Sequence, residues 1–138
     1  MIRAVEKGIL AKLSAASAIT TLVSTRLYAT QPPVNAALPY VLVAVSGGGS
    51  PNETPRDELD LMVTVKCVAQ DTTSASGAAT AKQMADAIKT ALHEVDLALD
   101  SPWEAYRCQH EGAFVYSENV DRVQYTHAGG TYRVRATG

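Results

Sequence analysis

Arg26-Leu27-Tyr28-Ala29-Thr30-Gln31-Pro32-Pro33-Val34-Asn35-Ala36-Ala37-Leu38-Pro39-Tyr40 runs straight into Val41-Leu42-Val43-Ala44-Val45. Proline has no backbone donor and a fixed φ, so Pro32-Pro33 ends any strand begun at Arg26 to Tyr28. The result is an extended, proline-pinned linker feeding a strand. That strand is rich in β-branched residues and does not alternate, which predicts burial on both faces.

Working outward, residues 2–14 read as a helix. Val5, Ile9 and Leu13 recur at i, i+4 and i+8, with Glu6 and Lys7 off that stripe. Ser17 is the candidate cap of a second short helix at 18–24, whose apolar side is Ile19, Leu22 and Val23. Beyond the first strand, Ser46 to Pro55 contains Gly47-Gly48-Gly49 and two prolines, and reads as a long flexible hairpin loop. A phosphate cradle fails there, since no Gly-Lys-Ser/Thr and no helix follow. Leu59, Leu61, Val63, Val65 and Cys67 then share one face at period two. Asp60, Met62, Thr64 and Lys66 share the other, predicting a strand paired antiparallel with 40–46 across the loop.

Asp71 to Ser76 offers N-cap residues for an Ala-rich helix at 75–94. Its stripe is Met84, Ile88, Leu92 and Val95, and Ala78, Ala79, Ala81 and Ala85 permit close approach to a sheet. Asp96 to Trp103 is a connection. In the next strand Tyr106, Cys108, His110, Phe114 and Tyr116 are expected on one face, against Arg107, Gln109, Glu111 and Val115, with Gly112 as a bulge. Tyr132 and Val134 alternate with Arg133 and Arg135; whether 120–136 is one bulged strand or a hairpin stays open. The predicted class is α+β over residues 1–138 as one domain. It is an antiparallel sheet packed by an N-terminal helical segment and one central helix.

The 138 residues carry a net charge of −2, which gives no polyanion-binding field. Charged residues are 19%, against a usual share of about 25%, which hints at surface covered by other subunits. Glu6 and Lys7 interrupt any signal-peptide core, and no apolar run is long enough to span a membrane. Cys67 and Cys108 are expected as reduced buried thiols in a protein made in the cytoplasm.

No reactive constellation stands out. His93, His110 and His127 lack metal-ligand spacing, and no serine sits in a nucleophile-elbow pattern. Glu53, Asp57, Glu58 and Asp60 cluster at the loop exit and read as a solvated strand entry. Arg122, Arg133 and Arg135 form the one basic concentration, able to contact phosphate or a neighbouring subunit's carboxylates, with the subunit contact preferred. No catalytic residue, metal or cofactor is expected.

Thr25-Arg26-Leu27-Tyr28, Pro32-Pro33 and Ala37-Leu38-Pro39-Tyr40-Val41-Leu42, in that order and spacing, resemble the tail-completion (tail-terminator) proteins of long-tailed bacteriophages and prophages. The helical lead Ala4 to Val23, the Ala-rich helix and the closing strands extend the resemblance over nearly the whole chain; Ala128-Gly129-Gly130 departs from an uninterrupted last strand. The resemblance implies a non-enzymatic virion protein. It would form a ring, a hexamer in that family, at the head-proximal end of the tail tube. Its partners would be itself, the tail-tube protein and head–tail connector proteins, with DNA passing through the lumen without sequence-specific binding. Candidate subunit or ring contacts are Gly48, Asn52, Arg56, Arg133 and Arg135. The competing readings are another head–tail connector or neck protein, and a small cytosolic enzyme or ligand-binding domain, for which no convergent polar groups appear.

Overall fold

The computed structural model describes residues 2–49, 58–72 and 76–138. The element order is α1 (Ile2–Ser14), α2 (Ser17–Val23), β1 (Leu27–Ala29), β2 (Tyr40–Gly49), β3 (Glu58–Gln70), α3 (Gly77–Leu92), β4 (Glu104–Val120) and β5 (Val123–Thr137). The five strands form one sheet in the order β1-β2-β3-β5-β4. The helices pack on one of its faces, the α+β arrangement expected from the pattern.

The helical stripes do what their spacing predicts. Val5, Ile9 and Leu13 of α1 are fully buried, as are Met84, Ile88 and Leu92 of α3. They meet Val41, Val43, Val63, Val65, Cys67, Tyr132 and Val134 from the sheet in one apolar cluster. Each such side chain contributes roughly 1.5–3 kcal/mol when fully buried. Ser76 caps α3, its hydroxyl accepting from Ala79 N at 3.3 Å. Where α3 crosses the sheet it does so over small residues, Ala81 against Ala69 and Ala128. Ser17 does not cap α2; Ala16 takes the cap position without a side-chain bond, and Ser17 is the first helical residue.

Several sequence expectations are corrected. The sheet is mixed: β1 pairs parallel with β2, with Leu27 opposite Val41, and the other pairings are antiparallel. The linker turns the chain back to run beside β1 in the same direction, which a tight hairpin cannot do. β2 is not doubly buried. Val41 and Val43 are sealed, while Leu42 and Ala44 are half-buried on the face away from the helices.

β2 also continues through Gly47–Gly49, paired with Met62, Leu61 and Asp60, so those glycines belong to the strand rather than to a loop. Gly48 has φ +135°, and a Cβ there would strike the Asp60 carbonyl oxygen, so only glycine fits.

In β4 the register shifts between Ala105 and Arg107 and again between His110 and Gly112. Gly112 therefore does mark a bulge. Because side chains alternate with period two, one extra residue sends those beyond it to the opposite face. Cys108 and His110 oppose Val134 and Tyr132 on the helix side, whereas Phe114 and Tyr116 oppose Gly129 and His127 on the other. The five do not share a face as expected. Residues 123–137 form one continuous strand, paired with β3 without a register shift, so Ala128-Gly129-Gly130 does not interrupt it. Asp121 and Arg122, at φ 51° and 67°, make the two-residue turn between β4 and β5.

Candidate functional site

The quoted stretch is held together by Arg26. Its Nε donates to Pro39 O at 2.8 Å, and its Nη2 to Leu22 O at 3.1 Å. Its own carbonyl accepts from Val41 N at 3.0 Å. One guanidinium thus ties the end of α2 to the end of the linker. Tyr28 and Tyr40 meet edge to face beside it, centroids 5.8 Å apart. The linker lies over the helix-free face of the sheet. There Pro32, Pro33, Leu38 and Tyr40 line, with Val68 and His127, a cavity of about 360 Å³. This cover explains why Val68 is buried although it points away from the helices.

Two polar clusters occupy the helix-free face. In the first, Arg133 and Arg135 of β5 flank Asp60 of β3: Nε to carboxylate distances are 3.4 and 3.6 Å, and Arg133 Nε lies 3.7 Å from Glu111. Both Nε atoms are shielded from solvent and reach the carboxylates without hydrogen-bond geometry. Exposed pairs of this kind are worth about 0–1 kcal/mol. Guanidinium carries five N–H donors, and these contacts involve only Nε. In the second, the Tyr116 ring stacks on His127 at 4.4 Å and on Phe114 at 6.1 Å. Lys66 Nζ donates to Tyr116 Oη at 2.8 Å, and His127 Nε2 is 2.8 Å from Glu118 Oε1.

Of the expected contact residues, Arg133 and Arg135 come together and Gly48 sits in the β2–β3 ladder. Asn52 and Arg56 lie outside the described residues. Arg122 occupies the turn before β5, at the opposite end of that strand from Arg135, so the basic concentration splits in two. Asp60 is the partner that sequence left among a solvated cluster; its register opposite Arg135 was the missing signal.

The remaining titratable groups are structural in their surroundings. His93 Nδ1 accepts from His110 N at 3.1 Å, and the His110 ring lies edge-on to Tyr132 at 5.2 Å. Burial, then Lys89 and His93 nearby, lower the His110 pKa and keep it neutral at pH 7. Among the described residues, no three His, Cys, Asp or Glu side chains gather as a metal site, and no helix is long and apolar enough to cross a membrane.

Burial pushes the Cys67 thiol up to about 12 and the Cys108 thiol up to about 11, from an ordinary value of 9.0. A raised pKa favours the folded state fully below pH 9 and loses that contribution as pH climbs toward 11 and 12. Native protein is therefore expected to lose stability in that alkaline window. With Ellman's reagent near pH 8, its thiols should react at least about a hundredfold more slowly than in denaturant. Thiols labelled equally fast in both states would contradict their burial.

Residues 7–136 match the family described as Tail completion protein gp17. The chain belongs to this family. It is accordingly a structural tail protein of phage type. The tail-completion chain is also similar in fold to a chain solved in the virion of a native gene transfer agent (GTA) particle. The TM-score is 0.80 at 22% identity, covering 99% of this chain and 96% of that one. No curated protein matches it. Within the tail-completion family, Arg26, Tyr28, Pro39 and Tyr40 thus have a concrete task in this chain: they close the linker onto the sheet.

Proposed function

We propose that the protein assembles into a six-membered ring at the head-proximal end of the tail tube. The ring halts tube polymerisation and presents the surface to which head–tail connector proteins bind. DNA passes through its lumen without sequence-specific contact, in keeping with a net charge of −2. The protein is made in the bacterial host cytoplasm, has no catalytic role and uses no cofactor. The observation that carries this reading is the family match across residues 7–136.

Arg133 and Arg135 support it, because their side chains are about a third exposed on the helix-free face, where a neighbouring subunit's carboxylates can meet them. Gly48, Asn52 and Arg56 belong to the segment that contacts an adjacent ring or subunit. Since Gly47–Gly49 pair with β3, the deletion that probes this segment should begin at residue 50.

Removing the gene from its phage or prophage is expected to yield filled heads unattached to tails, and tubes of uncontrolled length, in electron micrographs. Removing residues 50–56 is expected to leave a folded protein by circular dichroism yet lower the yield of joined particles at least about tenfold, the effect of losing about 1.4 kcal/mol of contact. Antibody labelling should mark the tube end nearest the head. Normal virions from the gene deletion, or label at the distal tip, would overturn the assignment.

A further inference from the structure

The two ends of the sheet differ. β4 is the last strand and is 17 residues long. Near its start the outer edge is occupied: Cys108 O accepts from Glu94 N at 2.8 Å, and His110 N donates to His93 Nδ1 at 3.1 Å. From Gly112 to Val120 no strand among the described residues lies on that side. An uncovered strand edge of this length is a template for association, and proteins usually blunt such edges. This one also projects apolar groups: Val115 is 52%, Tyr116 47% and Val120 48% exposed. Three of the five large exposed hydrophobic residues among those described thus fall on one hairpin.

Beyond β1, at the opposite end, lies a groove of about 680 Å³ between α1, α2 and β1, lined by Lys7, Leu10, Ala11, Ser14, Thr25 and Leu27 among others. Arg3, Lys7, Leu10 and Ser14 fall at i, i+4, i+7 and i+11, on one side of α1. The charges are complementary. On its groove side α1 carries Arg3 and Lys7, the Lys7 ammonium lying 3.0 Å from Asp100 of the same chain, while the hairpin tip carries Asp121 beside Arg122 and Glu118, which lies 2.8 Å from His127. Opposed patches of this kind steer and orient association.

Building on the ring reading, we propose that the open half of the β4 edge and its hairpin tip seat in the α1–α2–β1 groove of the next copy. Val120, near the hairpin tip, buries against Leu10 and Leu27, and Asp121 at the tip meets the Arg3 side of α1. The contact joins two different surfaces at opposite sheet ends, so each copy offers both halves. A heterologous contact of that type propagates from copy to copy and closes where the rotation permits. A like-to-like meeting of two β4 edges would stop at a dimer.

Cysteine cross-linking tests it. Cys67 and Cys108 are buried, so thiols introduced by Ala11→Cys and Val120→Cys, both at exposed positions, dominate labelling. The double variant, assembled on tail tubes and treated with a short bis-maleimide, should give bands beyond the dimer. Neither single variant should cross-link. Dimers from Val120→Cys alone would mean that hairpins meet each other, and would overturn the docking. Rings visible on tubes with no cross-link in the double variant would also overturn it while leaving the ring reading intact. A protein that joins neither itself nor tubes would remove the ring reading and the docking together. As a second measurement, Asp121→Lys should abolish assembly and Asp121→Lys with Arg3→Glu should restore it; failure to restore counts against the charge pairing.

Discussion

Gly129→Ala is expected to destabilise the protein by about 3 kcal/mol, the upper end of ordinary overpacking. A Cβ at 129 would strike the Val65 carbonyl oxygen and sit 2.6 Å from Lys66 Cα. Both belong to the backbone of β3, and backbone cannot rotate aside as a flexible side chain can. β5 cannot retreat either, because it is paired with β4 along its other edge. Gly112→Ala is the control. It lies in the edge strand at the bulge, and nothing stands within 4 Å of the added carbon. Its change should stay within about 0.5 kcal/mol. Thermal unfolding reads both: a fall of about 10 °C for G129A, and almost none for G112A. Equal midpoints would mean that the two backbones do not touch at 129.

Tyr132→Ala should cost about 4 kcal/mol, within the range for emptying an aromatic site in a core. Tyr132 is 1% exposed and is the largest fully buried side chain among the described residues. Its ring packs into the apolar cluster beneath α3 and lies edge-on to His110, with planes at 73°. Burial, with Cys108 nearby, also pushes its phenol pKa up from the ordinary 10.0, which favours the neutral ring. Urea unfolding of the variant measures the cost. A loss below about 1 kcal/mol would show that the cluster collapses into the vacated space instead of leaving a cavity.

These two positions are three residues apart on β5, yet they were unequally visible. Tyr132 and Val134 alternate with Arg133 and Arg135, and period two alone places the first pair in the core. Gly129 carried no such signal. In sequence, Ala128-Gly129-Gly130 looked like a break, because glycine has high chain entropy and no side chain to pack. The structure makes it a continuous stretch of strand in which a missing side chain is the requirement. β4 shows the same limit. Its alternation was legible, but a bulge shifts the phase by one, and only pairing with β5 reveals where. The arginine cluster follows suit: Arg133 and Arg135 could be named, while their partner Asp60 depended on the register between β3 and β5.

Sequence alone settled what near neighbours along the chain dictate. The stripes of α1 and α3, the one-sided β3 and the proline-pinned linker all follow from periodicity and from the backbone limits of particular residues. The ordered motifs from Arg26 to Tyr40 were enough to suggest the family that the match over residues 7–136 established. The parallel placement of β1, the face reversal at Gly112, the Arg26 clamp on Pro39 and the uncovered half of β4 were decided only in three dimensions. Each depends on which distant segment comes alongside. That choice is set by the packing of the whole sheet against its helices, and local pattern is silent on it.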